Sequence, residues 1–382
     1  MSALKLLLDA VGLSQRALAR GLGLSPAAVN EIVNRDNWPK SLDRKVLQAN
    51  ICNQLREAGA SAGRVKALFR TPRTRKPAEA EETTMLLARQ ELFPETKRHF
   101  KLNRNPFGEV GGPDDVFLSP DIRYVREAMY LTARNGGFVA VIGESGSGKS
   151  TLRRELVNRC SQGGQSVIII EPYILAMENN DKDGKVLKAQ HIAEAIMATV
   201  APTEALKSSP EARFRQLHRV LRDSANAGAS HCLVIEEAHA LSPSTLKHLK
   251  RFLELEDGFK KLMGIILLGQ PELRYNLSES NAQVREVVQR CERIELRPMN
   301  GSLPDYVKFR FSRVNADAGK IITDDAIEAL RAKLTGSASR SGVNDSVSLV
   351  YPLAVGNLVV AAMNLAVNVG STMVTPEIVD QV

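Results

Sequence analysis

Residues 138–152 read FVAVIGESGSGKSTL. The apolar run 138–142 reads as a buried strand, and a helix is expected from Leu152. Between them lies the pattern G-x-x-x-x-G-K-[ST] in the context it requires, a strand before and a helix after. Glycines at 143, 146 and 148 let backbone N–H groups turn inward around phosphate oxygens, and the helix N-terminus adds its partial positive charge. The candidate phosphate-binding residues are Gly143, Glu144, Ser145, Gly146, Ser147, Gly148, Lys149, Ser150 and Thr151. Lys149 is expected to span the β- and γ-phosphates of ATP, and Ser150 to give its hydroxyl oxygen to Mg²⁺.

Four further strands are expected at 166–170 (SVIII), 232–235 (CLVI), 264–268 (GIILL) and 293–296 (RIEL). Helical stretches near 191–200, 211–225 and 244–255 separate them. Strands alternating with helices imply an α/β core, a parallel sheet covered on both faces, with its functional edge at the carboxyl ends of the strands.

The third strand ends in Glu236-Glu237. Two acids after an apolar strand suit the second half of such a site: Glu236 orients the water shell of Mg²⁺, and Glu237 polarises the attacking water. The usual pair is Asp-Glu. Glu236 is a departure whose extra methylene moves the carboxylate by about 1.5 Å, which predicts slow turnover. The next strand ends in LLGQPEL, placing the polar Gln270 between the acids and the γ-phosphate as a sensor of phosphate state.

The N-terminal block reads as helical throughout: residues 4–11, then 15–21 behind a Ser14 cap, a turn at Gly23, and 26–33 opened by Ser25-Pro26. Ala17, Leu18, Leu22, Leu24, Val29 and Ile32 are expected inside; Arg16, Arg20, Asn30, Asn34 and Arg35 outside. Residues 1–78 hold 14 basic and 5 acidic side chains, and the remainder 37 and 38, so the whole excess behind the net charge of +8 sits in the first fifth of the chain. Nucleic acid is the partner this favours.

Composition divides the rest. Residues 71–82 (TPRTRKPAEAEE) read as a solvated linker, 102–120 as an irregular lead-in containing NPFGEVGGPDD, and 336–345 (GSASRSGVND) as an exposed loop. Four scattered cysteines lack the spacing of a zinc site or disulfide framework, which suits a reducing cytosol. No signal peptide is read. Residues 349–369 are uncharged and long enough for a membrane span, yet Asn357, Asn364 and Asn368 recur on one helical face. A buried lid helix or subunit contact is expected there, with no membrane partner.

SQRALARGLGLSPAAVNEIVN resembles the helix-turn-helix of phage-repressor-like DNA-binding domains. That resemblance implies that the second helix enters the major groove, with Ser25, Ala27, Ala28, Asn30 and Glu31 near base edges. GESGSGKST, LVIEEAHAL, LLGQPEL and QRCERIELRPM, in that order, resemble the AAA+ ATPases of the ExeA/TnsC-like group, and NPFGEV resembles the segment that precedes their phosphate loop. Joined to a helix-turn-helix, the chain resembles the DNA transposition B proteins of Mu-type phages, target-selecting ATPases. The resemblance implies a P-loop AAA+ core at 105–300, a small helical C-terminal lid at 301–382, an all-α helix-turn-helix domain at 1–70 and a linker at 71–104. It further implies ATP hydrolysis with Mg²⁺, binding of double-stranded DNA with little sequence preference, ATP-dependent homo-oligomers (a helical filament or ring), and delivery of target DNA to a transposase. The location implied is the cytoplasm, that of the host if the chain is phage-encoded. Glu237, Lys149 and Gln270 carry catalysis on this reading, Ser150 and Glu236 the metal, and Arg16, Arg20, Ser25, Asn30, Asn34 and Arg35 the DNA. Sites in this group lie between subunits and take an arginine from a neighbour; Arg290 is the first choice, ahead of Arg285 and Arg293. Where the group often reads G-N-P-R in the lid, this chain reads Gly356-Asn357-Leu358-Val359, so the lid arginine is replaced by Val359. Two other functions remain open: a secretion-type ExeA ATPase and an ATP-gated helix-turn-helix transcriptional regulator.

Overall fold

The computed structural model describes residues 3–35, 44–60, 87–164, 166–172, 187–278, 284–340 and 343–382. The chain forms two compact units, Met1–Glu82 and Thr83–Val382. The expected linker at 71–82 lies outside the described residues.

The first unit is built from α1 (Ala3–Ala10), α2 (Gln15–Leu22), α3 (Pro26–Arg35) and α4 (Arg44–Glu57). Ser14 caps α2, accepting from the N–H of Ala17 at 3.2 Å, and Ser25 caps α3, accepting from Ala28 at 3.2 Å. Between them Gly23 adopts the left-handed conformation (φ 65°) that closes a helix and turns the chain. Leu18, Val29, Ile32, Ile51 and Leu55 meet in the core; Ala17, Leu22 and Leu24 are only half-buried at its margin.

The second unit is organised by a five-stranded parallel sheet: β1 (Gly137–Ile142), β2 (Val167–Ile170), β3 (Ser230–Ile235), β6 (Gly264–Gly269) and β7 (Glu292–Glu295), in the order β2-β3-β6-β1-β7. Strands β4 (Glu256–Asp257) and β5 (Lys260–Lys261) make a separate small hairpin that composition did not signal. The period of two sorts side chains onto two faces. Phe138, Ala140 and Ile142 of β1 enter one core, while Val139 and Val141 enter the other. The first core is covered by α8 (Ala189–Val200), α9 (Pro210–Asn226) and α10 (Pro243–Leu253); the second by α6 (Pro120–Asn135) and α7 (Lys149–Gln162). Preceding them all, α5 (Pro94–His99) packs with the lid.

Helix starts are written in the sequence as Ser-Pro. Ser119, Ser209 and Ser242 cap α6, α9 and α10 by accepting from backbone N–H groups at 3.2–3.3 Å, with proline in the first turn each time. The cap satisfies an orphan donor, and proline has no N–H to leave unsatisfied.

After β6 come α11 (Glu272–Asn276) and α12 (Arg285–Val288). Beyond β7, α13 (Leu303–Ser312), α14 (Asp324–Lys333), α15 (Pro352–Asn368) and α16 (Pro376–Gln381) share a third core with Leu92, Phe100 and Leu102. The uncharged stretch is thus a lid helix, α15, and no helix among the described residues is long and apolar enough to cross a membrane. The loop expected at 336–345 is instead an antiparallel hairpin of β8 (Thr335–Arg340) and β9 (Val343–Ser348), in register from Thr335↔Ser348 to Arg340↔Val343. Its Gly/Ser/Asn composition signals a turn, but the backbone ladder that closes the hairpin does not depend on apolar side chains.

Candidate functional site

The loop from Gly143 to Gly148 joins the end of β1 to α7, as its position between strand and helix requires. Lys149 curls back over it: the ammonium donates to the carbonyls of Gly143 at 2.7 Å and Glu144 at 2.8 Å. Burial pulls its pKa below the usual lysine value, opposed by the carboxylates of Glu237, Glu144, Glu236 and Glu272. Gly148 sits at φ 100°, and a Cβ there would meet nothing within 4 Å, so the loop is open at this point. The hydroxyl of Ser147 is buried with no hydrogen-bond partner. A buried hydroxyl without a partner, in a loop open at Gly148 and carrying the Lys149 ammonium, suits an oxygen-rich ligand, and the residues present fit a nucleotide's phosphates.

The two acids follow β3, next to β6 and one strand from β1. Arg153, on α7, joins two strand ends: its Nη1 donates to Glu171 at 2.7 Å and its Nε lies 3.3 Å from Glu236 Oε2. Glu237 adopts φ 47°, ψ 34°, a left-handed conformation uncommon for a residue with a side chain. The amide of Gln270 donates to its Oε2 at 3.5 Å, and His239 Nε2 lies 3.6 Å from the same oxygen. The fold therefore gathers Lys149, Glu236, Glu237 and Gln270 at the carboxyl edge of three adjacent strands. Arg290 is elsewhere, its Nη1 2.7 Å from Glu254, and Arg293 donates to the carbonyl of Leu277 at 3.1 Å. Val359 is fully buried in the lid core and presents nothing to the loop.

A cavity of about 250 Å³ opens beside Ser147, Gly148 and Thr151, walled by Phe117, Ile122, Met299, Tyr306 and Tyr351. Apolar and aromatic walls next to a phosphate loop suit a nucleoside. Burial pushes the Tyr306 phenol up to about 12, so it stays neutral. Arg310, in the wall of the cavity, belongs to a clamp between the lead-in and the lid. Buried Arg310, on α13, donates to the carbonyls of Pro106 and Gly108 at 2.7 Å each, and Arg313 donates to Asp115 at 2.8 Å. The spacing of residues had not signalled Arg310, Asp115 or Tyr306; only the NPF segment hinted that the lead-in matters.

Among the residues expected at DNA, Arg16, Arg20, Ser25 and Asn30 are exposed on the first unit. Ser25 spends its oxygen on the α3 cap. The side chains of Asn34 and Arg35 lie outside the described residues.

Sheet order, phosphate loop, acidic strand end and helical lid together define a P-loop AAA+ fold, preceded by a helix-turn-helix region. Residues 132–277 match the AAA domain family, and residues 2–35 match a family described as winged helix-turn-helix DNA-binding. The chain thus carries an AAA-type ATPase domain behind an N-terminal helix-turn-helix. It is 28% identical over 250 residues to the general secretion pathway protein A of Aeromonas hydrophila, covering 63% of this chain and 42% of that one. The chain therefore spans less than half the length of that relative. Solved structures similar to it include Cdc6p of Pyrobaculum aerophilum, with TM-score 0.46, 15% identity, and 72% and 68% of the two chains covered. The RuvB Holliday junction branch migration motor of Thermotoga maritima gives TM-score 0.41, 15% identity, and 72% of each chain covered.

Proposed function

We propose that this protein is an ATP-hydrolysing, DNA-binding AAA+ ATPase that binds duplex DNA with little sequence preference and assembles on it in an ATP-dependent way. The observation that carries the reading is the gathering of Lys149, Glu236, Glu237 and Gln270 at the carboxyl edge of three adjacent strands, in a chain whose residues 2–35 match a DNA-binding module. Residues 143–151 hold the phosphates. Ser150 and Glu236 would hold Mg²⁺, which when bound would supply positive charge against that of the phosphates. Glu237 takes the proton of the attacking water, and Gln270 reads the state of the phosphate. Arg290 reaches the site of a neighbouring subunit in a filament or ring. Core 105–300, lid 301–382 and DNA-binding domain 1–70 are the working parts; of the stretch 71–104 expected as a linker, residues 87–104 pack with the lid instead. The resemblance to the transposition B proteins of Mu-type phages supports a finer role: selection or delivery of target DNA and activation of a transposase in the cytoplasm.

The likeness to a general secretion pathway protein favours a second reading, a secretion ATPase. Electron microscopy of the full chain with ATP, Mg²⁺ and random duplex separates the two. Assemblies that lengthen with the DNA support the first; recovery with membranes and no DNA binding supports the second. A defined dimer on one preferred operator would instead mark a transcriptional regulator. Lys149→Ala is expected to abolish ATP binding and assembly, since it removes the charge that spans two phosphates. Glu237→Gln is expected to bind ATP and assemble while hardly turning over, because an amide cannot accept the proton. Unchanged affinity in the first variant, or unchanged turnover in the second, overturns the corresponding assignment.

A further inference from the structure

His239 lies two residues beyond Glu237, and nothing in the sequence marks it as more than a turn residue. Its ring lies between the backbone of Gln270 and the side chain of Glu237 at this strand edge. The backbone N–H of Gln270 donates to Nδ1 at 3.4 Å, which places the proton of the neutral ring on Nε2. That Nε2 lies 3.6 Å from Glu237 Oε2, the same oxygen that accepts from the Gln270 amide. The backbone beneath is fixed as well. Asn276 donates to the carbonyl of His239 at 2.8 Å, Ala240 donates to the carbonyl of Glu237 at 2.9 Å, and Ala238 is fully buried. The left-handed turn at Glu237 folds the chain back so that residue 239 faces residue 237.

We propose that His239 is a positioning residue for Glu237. The Gln270 backbone sets its tautomer, and its Nε2–H, with the Gln270 amide, holds one carboxylate oxygen. The second oxygen, Oε1, is left to take the proton of the attacking water. The proposal rests on the reading of Glu237 as the general base. Donors on Oε2 do two things: they fix the direction of the carboxylate, and they leave it a single acceptor facing the nucleophile. Contacts of this length shorten when a site closes around its substrate, so the arrangement is poised for catalysis rather than complete.

The test uses the full chain with His239→Ala, His239→Gln and His239→Asn, measuring kcat, KM and ATP affinity for each, alone and with Glu237→Gln. His239→Ala is expected to lower kcat about 10- to 100-fold, the scale of a misplaced catalytic group, with ATP affinity within about twofold. In His239→Gln the amide nitrogen reaches where Nε2 lies, and kcat should recover to within about fivefold of wild type. In His239→Asn only the Nδ1 position is reached, and kcat should stay low. In a Glu237→Gln background His239→Ala should cost nothing more, because both act through one group. A wild-type kcat in His239→Ala while Glu237→Gln is inert overturns the positioning role alone. Equal recovery by Asn and Gln does the same, as does a parallel loss of ATP affinity and thermal stability. Full turnover in Glu237→Gln removes the base itself, and this proposal with it.

Discussion

The backbone N–H of Leu353, in the first turn of lid helix α15, donates to the carbonyl of Gly146 in the phosphate loop at 3.3 Å. The lid therefore begins on the loop that the phosphates need. Gly146 has φ 76°, and a Cβ built on it would lie 2.5 Å from the Leu353 Cβ. Gly146→Ala should thus combine left-handed strain of about 1–2 kcal/mol with displacement of the lid. The expected result is a lower Tm and nucleotide binding weakened about tenfold or more, read by thermal melts and ATP titration. A variant that melts and binds as wild type would mean that the loop does not hold this contact in solution.

The asparagines of α15 have a structural use that reaches back along the chain. Asn364, buried to 6% exposure, accepts from the Phe93 N–H at 3.2 Å and the Thr96 hydroxyl at 2.8 Å, and donates to the Glu91 carbonyl at 2.8 Å. Asn357 donates to the Leu87 carbonyl at 3.0 Å and accepts from Gln90 at 3.3 Å. Together they supply hydrogen bonds to an extended segment with no strand beside it. Asn364→Ala leaves three groups without partners and should destabilise the second unit by about 2–4 kcal/mol. Urea denaturation measures it. Asn357→Ala, on a less buried contact, should cost less, and the reverse ranking would count against the account.

Asp115 gives the lid clamp a pH dependence. The hydrogen bond from Arg313 comes first among the causes that hold its carboxyl below the usual range; burial opposes it, and Gly111 and Arg104 add to it. A depressed folded pKa means stability that is complete above the unfolded value of about 3.9 and lost as the pH falls through the folded value. Asp115→Asn should therefore be less stable than wild type at neutral pH, and the gap should close below about pH 4. A gap that persists in acid would show that Asp115 acts through shape rather than charge.

What was legible in the sequence was local. The phosphate loop carries its own strand and helix, four of the five strands of the sheet are short apolar runs (β7, ERIE, is the exception), and Ser-Pro marks four helix starts by a mechanism three residues long. Val359 is an apolar residue at an apolar lid position, and the structure buries it. What escaped is non-local or backbone-made. Asn364 meets residues 91–96 across more than 260 positions, and Arg310 meets Pro106 and Gly108 across about 200. His239 required knowledge of which strand end lies beside β3. The hairpin at 335–348 is held by ladder hydrogen bonds that leave no trace in polar composition.

On the proposed function, salt dependence measures how much of the DNA binding each unit carries. The net charge of +9 over residues 1–78 contrasts with −1 over the rest. Deleting residues 1–82 should weaken binding and flatten its salt dependence. If the deleted segment neutralises about four phosphates, the slope of log affinity against log salt falls by about 3.6. ATP-dependent assembly should survive, because the phosphate loop, the acids, Gln270 and Arg290 all lie in the second unit. Net charge averages over a whole unit, however, and a local stripe can act against the average. Lys97, Arg98 and Lys101 crowd one turn of the second unit, with Phe100 and Leu102 buried in the lid core beneath them. An unchanged slope after the deletion would move the main DNA surface to the second unit and make that turn the first place to substitute. Loss of assembly together with binding would make the first unit a structural part of the oligomer. A salt titration of both chains with ATP present decides among the three.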